Sequence, residues 1–258
     1  MPVTLRLRNN LSDMVVIAGR CLRHAFRSID TLITIIAMPI LMMLLFVYVL
    51  GGAMHTGSGN YLSYVTPGIL FMCILTGAPY TSLRLSIDIT TGIVDRFRSM
   101  PIAKSSILTG HVLTSVVFNI FSAVIVLLFS LLIGFRSGAG PVGWLLAAAI
   151  LVLFTLAMTW LSVVFGLIAK TAEGASVFSY PILILLFVSS AFTPTDTMNP
   201  GLRAFAEHQP MTPIIESVRA LLLNQPAGNN VIAAILWSAG ILVVSYAAAM
   251  LIYRRKTA

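Results

Sequence analysis

The chain of 258 residues is 58% hydrophobic and only 9% charged, whereas ordinary soluble domains carry about 25% charged residues. That balance excludes a soluble globular domain and points to an integral membrane protein. The net charge of +8 does not require nucleic acid, because basic excess in membrane proteins marks cytoplasmic ends, and the two cysteines, Cys21 and Cys73, exclude a disulfide framework.

Residues 1–30 form a basic segment. Arg20, Arg23 and Arg27 share one helix face, with Val15, Val16, Leu22 and Phe26 supplying apolar surface. This predicts an amphipathic helix in the inner headgroup layer. No signal-peptide pattern with a small-residue cleavage site opens the chain, so the first apolar run reads as a span that stays. A membrane domain over 31–256 follows. Its six apolar segments, each near the roughly 20 residues needed to cross, lie at about 31–52, 62–82, 106–134, 144–169, 176–193 and 231–253. None of these holds Asp, Glu, Lys or Arg. Intramembrane charges usually mark ion pathways, so their absence argues against a proton- or sodium-coupled transporter. His111 and Asn119 are the main strongly polar exceptions, and His111 reads as a packing or interface residue. Pro39, Pro67, Pro79 and Pro181 lie inside apolar runs, where they free backbone groups and bend helices. Met38, Met42, Met43, Phe71 and Met72 add adaptable apolar surface, which suits either a cavity for varied hydrophobic ligands or ordinary helix packing.

Between the second and third spans, residues 92–104 read Gly-Ile-Val-Asp-Arg-Phe-Arg-Ser-Met-Pro-Ile-Ala-Lys. Ile93, Val94 and Phe97 recur at helical spacing, Asp95 and Arg98 are three apart, and Pro101 stops a helix at Met100 or before. About two turns of half-apolar, half-charged helix at a membrane surface are expected. Such a helix serves either as a lever for a soluble partner or as an ordinary interfacial loop.

With the N-terminus inside, thirteen of the sixteen Lys and Arg fall in inner segments, and Arg136, Arg203 and Arg219 fall in outer loops. The positive-inside rule then puts both termini and residues 92–104 in the cytoplasm. The last outer loop, about 194–230, contains an apolar face of Ile214, Ile215, Val218, Leu221 and Leu222. Thr212-Pro213 reads as its helix start, with a capping hydroxyl and Pro at the first helical position. Glu216 and Arg219 lie three apart on that helix, which is expected to lie on or dip into the outer leaflet.

Two stretches carry a family likeness. Residues 92–101 resemble the cytoplasmic motif between spans two and three of ABC-2-type transport permeases, particularly the daunorubicin/doxorubicin-resistance subfamily. Residues 187–194, Phe-Val-Ser-Ser-Ala-Phe-Thr-Pro, followed by Thr197-Met198, Gln209-Pro210-Met211-Thr212-Pro213 and Glu216-Ser217-Val218-Arg219, resemble that family's second motif at the end of span five. Asn199-Pro200-Gly201 departs from the glycine or proline pattern common after the Thr-Met pair, a difference confined to a loop turn.

The resemblance implies an all-α membrane fold of the type V ABC exporter kind. It has six transmembrane helices, an N-terminal interfacial helix, a cytoplasmic coupling helix and outer re-entrant helices. It implies a homodimer of permeases in the cell membrane, each copy touching a separate ABC ATPase. Gly92, Asp95, Arg96, Phe97, Arg98 and Pro101 become the coupling helix. Phe71, Leu75, Phe187 and Ser190 become pathway lining from spans two and five. Pro194, Pro213, Glu216 and Arg219 fall in the outer gate and re-entrant region. Arg96 and Arg98 would make polar contacts in the ATPase groove, and Phe97 would anchor an apolar pocket.

The chain has no Gly-x-x-x-x-Gly-Lys-[Ser/Thr] motif. Gly166-Leu-Ile-Ala-Lys170-Thr171 lacks the second glycine and leaves a membrane helix. No cofactor is therefore expected on this chain, and ATP and magnesium belong to the partner subunit. Zinc-protease and nucleophile-elbow motifs are absent, and no metal site or nucleic-acid partner is expected. The reading is the permease subunit of an ATP-driven exporter of hydrophobic small molecules, and not an enzyme. The alternatives are export of a lipid or lipid-linked polysaccharide on the same machinery, and a non-transporting scaffold or sensor. An intramembrane enzyme has no supporting constellation.

Overall fold

A computed structural model describes residues 32–52, 60–92 and 104–257, together with Gly19 and Ser28. The expected interfacial helix within 1–30 and the coupling residues Asp95, Arg96, Phe97, Arg98 and Pro101 lie outside the described residues. Every regular element described is helical. Eight helices carry the architecture: α1 (Ile33–Leu50), α2 (Tyr61–Thr90), α3 (Lys104–Ile133), α4 (Pro141–Ile168), α5 (Ser179–Phe187), α6 (Pro200–His208), α7 (Met211–Leu222) and α8 (Asn230–Thr257).

Five of these, α1, α2, α3, α4 and α8, are long and apolar enough to cross a membrane. α2 is the hub. It packs against α1, α3, α4, α5 and α7, and twenty of its thirty residues are buried. α1, α3 and α8 turn mostly apolar faces outward, with Leu132, Val49 and Val244 among the exposed large side chains. In water such surface would be a liability, whereas lipid solvates it.

Local chemistry explains the ends of α2. The Asn60 side chain accepts from the Leu62 amide at 3.0 Å, an N-cap. At the other end Gly92 adopts φ +72°, the left-handed conformation that glycine adopts at little cost. α2 therefore runs two turns past the segment expected to span, and it carries Arg84 and Asp88 on the extension. Pro39 in α1 has no amide to donate to Ile35, and the Cys73 thiol of α2 donates to that carbonyl at 3.4 Å. The proline thus opens a place where a second helix attaches.

The fifth segment departs most from expectation. Instead of a full span over 176–193, a single 3-10 turn (Gly174–Ser176) leads into the nine-residue α5, and the helix stops at Phe187. The Ser189 hydroxyl bonds back to the Leu186 carbonyl at 2.5 Å and receives the Ala191 amide at 3.1 Å. Local serine bonding of this kind competes with helix continuation.

α7 also differs. It begins at Met211, with Pro210 before it and no side-chain cap. Thr212 does not cap the helix. Its hydroxyl donates instead to the Ala206 carbonyl of α6 at 2.6 Å. Pro213 sits at the third helical position, where its missing amide is still an unpaired first-turn donor. α7 is also largely enclosed by protein. Nine of its twelve residues are buried, and it packs against α2, α4 and α8.

Candidate functional site at the Tyr61 end of the central helix

The residues from Val188 to Phe192 leave the helical path while surrounded by protein. Irregular backbone at membrane depth is tolerated only where its polar groups find partners, and here side chains from α2, α7 and the α6–α7 junction supply them. Gln209 Nε2 donates to the carbonyls of Leu185 and Val188, at 2.9 and 3.2 Å. The Tyr64 hydroxyl donates to the Ser190 carbonyl at 2.9 Å, and the Tyr61 hydroxyl donates to the Phe192 carbonyl at 2.9 Å.

Arg219 ties the three parts together. Its Nη2 donates to the Ser190 carbonyl at 2.6 Å and its Nε to the Tyr64 carbonyl at 3.0 Å. Its Nη1 donates to Glu216 Oε1 at 2.5 Å. The guanidinium carbon lies 3.8 Å from the centroid of the Tyr64 ring, within cation–π range. A planar fork with five donors fits this set, which a single ammonium group would not. The Arg219 side chain is 5% exposed and that of Glu216 34%, so the pair is lopsided, with a buried cation and a carboxylate that reaches solvent.

Close backbone approach completes the site. A Cβ on Gly68 would lie 2.5 Å from the Ala191 carbonyl oxygen, so glycine is what lets α2 touch the break. The Phe192 ring stacks between Phe46 of α1 at 4.4 Å and Phe187 at 5.0 Å. Two buried polar atoms here, Ser190 Oγ and Gln209 Oε1, have no hydrogen-bond partner.

The expected pathway residues divide. Phe187 is 43% exposed, at the surface beside the break. Ser190 is buried within the site, with its carbonyl used and its hydroxyl free. Phe71 and Leu75 lie in the interior of the chain, Phe71 meeting Phe154 of α4 edge-on at 5.0 Å. Among the expected gate residues, Glu216 and Arg219 meet at the break. Pro194 precedes a 3-10 turn (Thr195–Thr197) and Pro213 lies in the first turn of α7. Gly92 closes α2. Tyr61, Tyr64 and Gly68 were not singled out from the sequence, and Gln209 was named only as part of the second motif. Two tyrosines three apart at the mouth of a span, next to an Asn cap, were the available signal, since amphipathic aromatics favour membrane interfaces.

The ABC-2 type transporter family model matches residues 13–223, which include the break, Gln209 and Arg219. Over 228 residues the chain is 30% identical to the daunorubicin resistance ABC transporter permease protein DrrB1 of Streptomyces coeruleorubidus, covering 88% of this chain and 81% of that protein. It is 25% identical over 243 residues to the probable doxorubicin resistance ABC transporter permease protein DrrC of Mycobacterium tuberculosis, covering 92% and 86%. The putative transport permease ycf38 of Cyanophora paradoxa is 28% identical over 217 residues, covering 82% and 74%.

Proposed function

The chain belongs to the ABC-2 type transporter family and is a multi-pass membrane permease, not an enzyme, and from that premise we propose that it pairs with a second copy and with separate ATPase chains to export hydrophobic small molecules. The observation that carries this reading is the two-motif pattern within a chain matched by the family over most of its length. Two drug-resistance permeases among its relatives support hydrophobic, drug-like cargo. In this reading residues 92–101 are the coupling helix and both termini are cytoplasmic, as the basic residues indicate. α5 and the break after it would complete a sixth crossing. The Tyr61 end of α2 would then face outward, and the break would be part of the outer gate. ATP and magnesium would be held by the partner.

The apolar character of the interior suits such cargo. A crevice of about 520 Å³ opens between α4, α5, the start of α7 and α8, lined by Met158, Leu161, Leu185, Met211 and Trp237 among others. Its volume falls in the range of small-molecule sites, roughly 300–1,000 Å³.

The test is co-purification from native membranes with a tag at the cytoplasmic C-terminus, followed by an ATPase assay with daunorubicin as the probe. A Walker-motif subunit that comes down with the chain, and whose hydrolysis daunorubicin stimulates, is the expected result. A chain that comes down alone, without nucleotide-dependent partners, overturns the reading. Phe97→Asp in the complex is expected to abolish ATP-driven efflux, because a charge would replace the apolar anchor. Full efflux in that variant counts against the coupling assignment.

A further inference from the structure

The opposite end of α2 holds a second polar contact that the functional reading does not use. His111 Nε2 of α3 lies 3.2 Å from Asp88 Oδ2 of α2, and the two side chains are 4% and 14% exposed. The contact sits at a definite place. Asp88 is two residues from the end of α2, and His111 is seven residues into α3. At about 1.5 Å of rise per residue, α3 therefore extends about 10 Å past the contact while α2 ends almost at once. The pair lies at the neck where the chain leaves α2 and returns as α3, and residues 93–103 bridge that neck.

Farther along the same seam the helices touch closely. Tyr80 and Phe118 have ring centroids 6.4 Å apart. A Cβ on Gly77 would lie within 1.9 Å of Asn119 Oδ1, so only glycine admits the asparagine there. Asn119 is itself held by its Nδ2, which donates to the Ser115 carbonyl and hydroxyl at 2.9 and 3.1 Å. Around the neck, Leu85, Leu108, Val112, Trp160 and Leu167 form an apolar cluster that joins α2, α3 and α4.

An apolar pair of similar volume would hold two helices together as well as an imidazole and a carboxylate do. What the polar pair adds is register. Two greasy surfaces can slide, but a buried imidazole loses its carboxylate partner if one helix shifts along the other. We propose that Asp88 and His111 are positioning residues that lock α2 to α3 in one register at this neck, so that the two helices carry a push on the intervening segment as a single lever. The proposal rests on the coupling role assigned above to residues 92–101.

The test uses the full chain in nanodiscs, with Cys21 and Cys73 replaced by serine and spin labels at Thr90 and Leu113, both exposed. In the otherwise unaltered chain the label-to-label distance is expected to be single, narrow and insensitive to nucleotide. Asp88→Leu and His111→Phe, which keep much of the volume while removing the polar contact, are expected at least to double the width. An unchanged width in both variants overturns the lock. A second readout separates a lever from a merely structural contact. In the complex with its ATPase, a label at the exposed Phe187 is expected to respond to a non-hydrolysable ATP analogue. Asp88→Leu is expected to keep hydrolysis but lose most of that response, and a full response in this variant overturns transmission through the pair. Cross-linking from Phe97→Cys to the ATPase reads the coupling role separately. Its failure alongside a broadened distance sinks that role and leaves the register lock standing.

Discussion

Two arginines on neighbouring helices look alike in the sequence and differ in the fold. Arg203 of α6 pairs with Glu207 at 2.7 Å, and Arg219 of α7 pairs with Glu216 at 2.5 Å. Both have a glutamate one helical turn away, and both count as basic residues of the same loop. Yet the Arg203 side chain is 48% exposed and that of its glutamate 38%, whereas the Arg219 side chain is 5% exposed. Arg203 donates to the neighbouring carboxylate. Arg219 reaches across the fold to α2 and to the break after α5. The glutamate is incidental to that difference. Arg219 earns its burial from carbonyls that the broken fifth helix leaves open, so its role follows from where that helix stops.

The strongest way to break this contrast is Arg219→Ala. Removing one partner of a buried charged pair typically costs about 3–5 kcal/mol. Here the charge itself is what leaves, Glu216 can still be hydrated, and the Ser190 carbonyl keeps Tyr64. The expected loss is therefore at the lower end, about 3 kcal/mol, read as a lowered midpoint in reversible SDS unfolding. Arg219→Lys is expected to recover only part of it, because one ammonium cannot reach α2, the break and Glu216 together.

Gly68→Ala attacks the same junction from the other side. The added methyl would meet the Ala191 carbonyl at 2.5 Å, and both neighbours are backbone, so neither can rotate away. Overpacking of this kind costs about 1–3 kcal/mol. The loss of stability should be non-additive with Arg219→Ala, because residues that share partners couple. Additive losses would show that Arg219 acts elsewhere. Tyr61→Phe is milder. It deletes one hydroxyl donor to Phe192 and leaves the ring in place, for about 1 kcal/mol.

These expectations rest on features of unequal legibility. Long apolar runs and Pro or Gly boundaries located α1, α3, α4, α8 and the start of α2 to within a few residues, because burial in lipid imposes length and composition directly on the sequence, whereas the far end of α2 runs two turns beyond the apolar run. The stop at Phe187 was not legible. Residues 188–193 carry Ser189, Ser190 and Thr193, and Ser189 bonds locally at the stop, but the tyrosines and the arginine that satisfy the freed carbonyls arrive from α2 and α7, far away in the chain. The α7 start was misplaced for a related reason. Thr212-Pro213 has the form of a cap, but the helix begins before it, at Met211, and the Thr212 hydroxyl donates to the Ala206 carbonyl of α6. Arg219 was placed in the right region, three residues from Glu216, but nothing in that spacing shows its burial against α2 and the break. His111 was read as a packing or interface residue, Asp88 was not singled out, and nothing in the spacing pairs them.

Glu207→Ala is the smallest perturbation and the control for the whole comparison. The Arg203–Glu207 pair is exposed on both sides, where solvent screens the charges and two long side chains lose freedom in pairing. Glu207 holds Arg203 firmly protonated, but that cation is hydrated with or without its partner. The unfolding midpoint of Glu207→Ala is therefore expected to match that of the unaltered chain, in low salt and in high. Glu216→Ala tests the same logic beside the break. It removes the carboxylate but leaves Arg219 bonded to Tyr64 and Ser190, so its effect should fall well short of that of Arg219→Ala. If Glu216→Ala proved as damaging as Arg219→Ala, the pair and not the broken helix would be what holds the arginine in place. The two arginines would then differ only in depth.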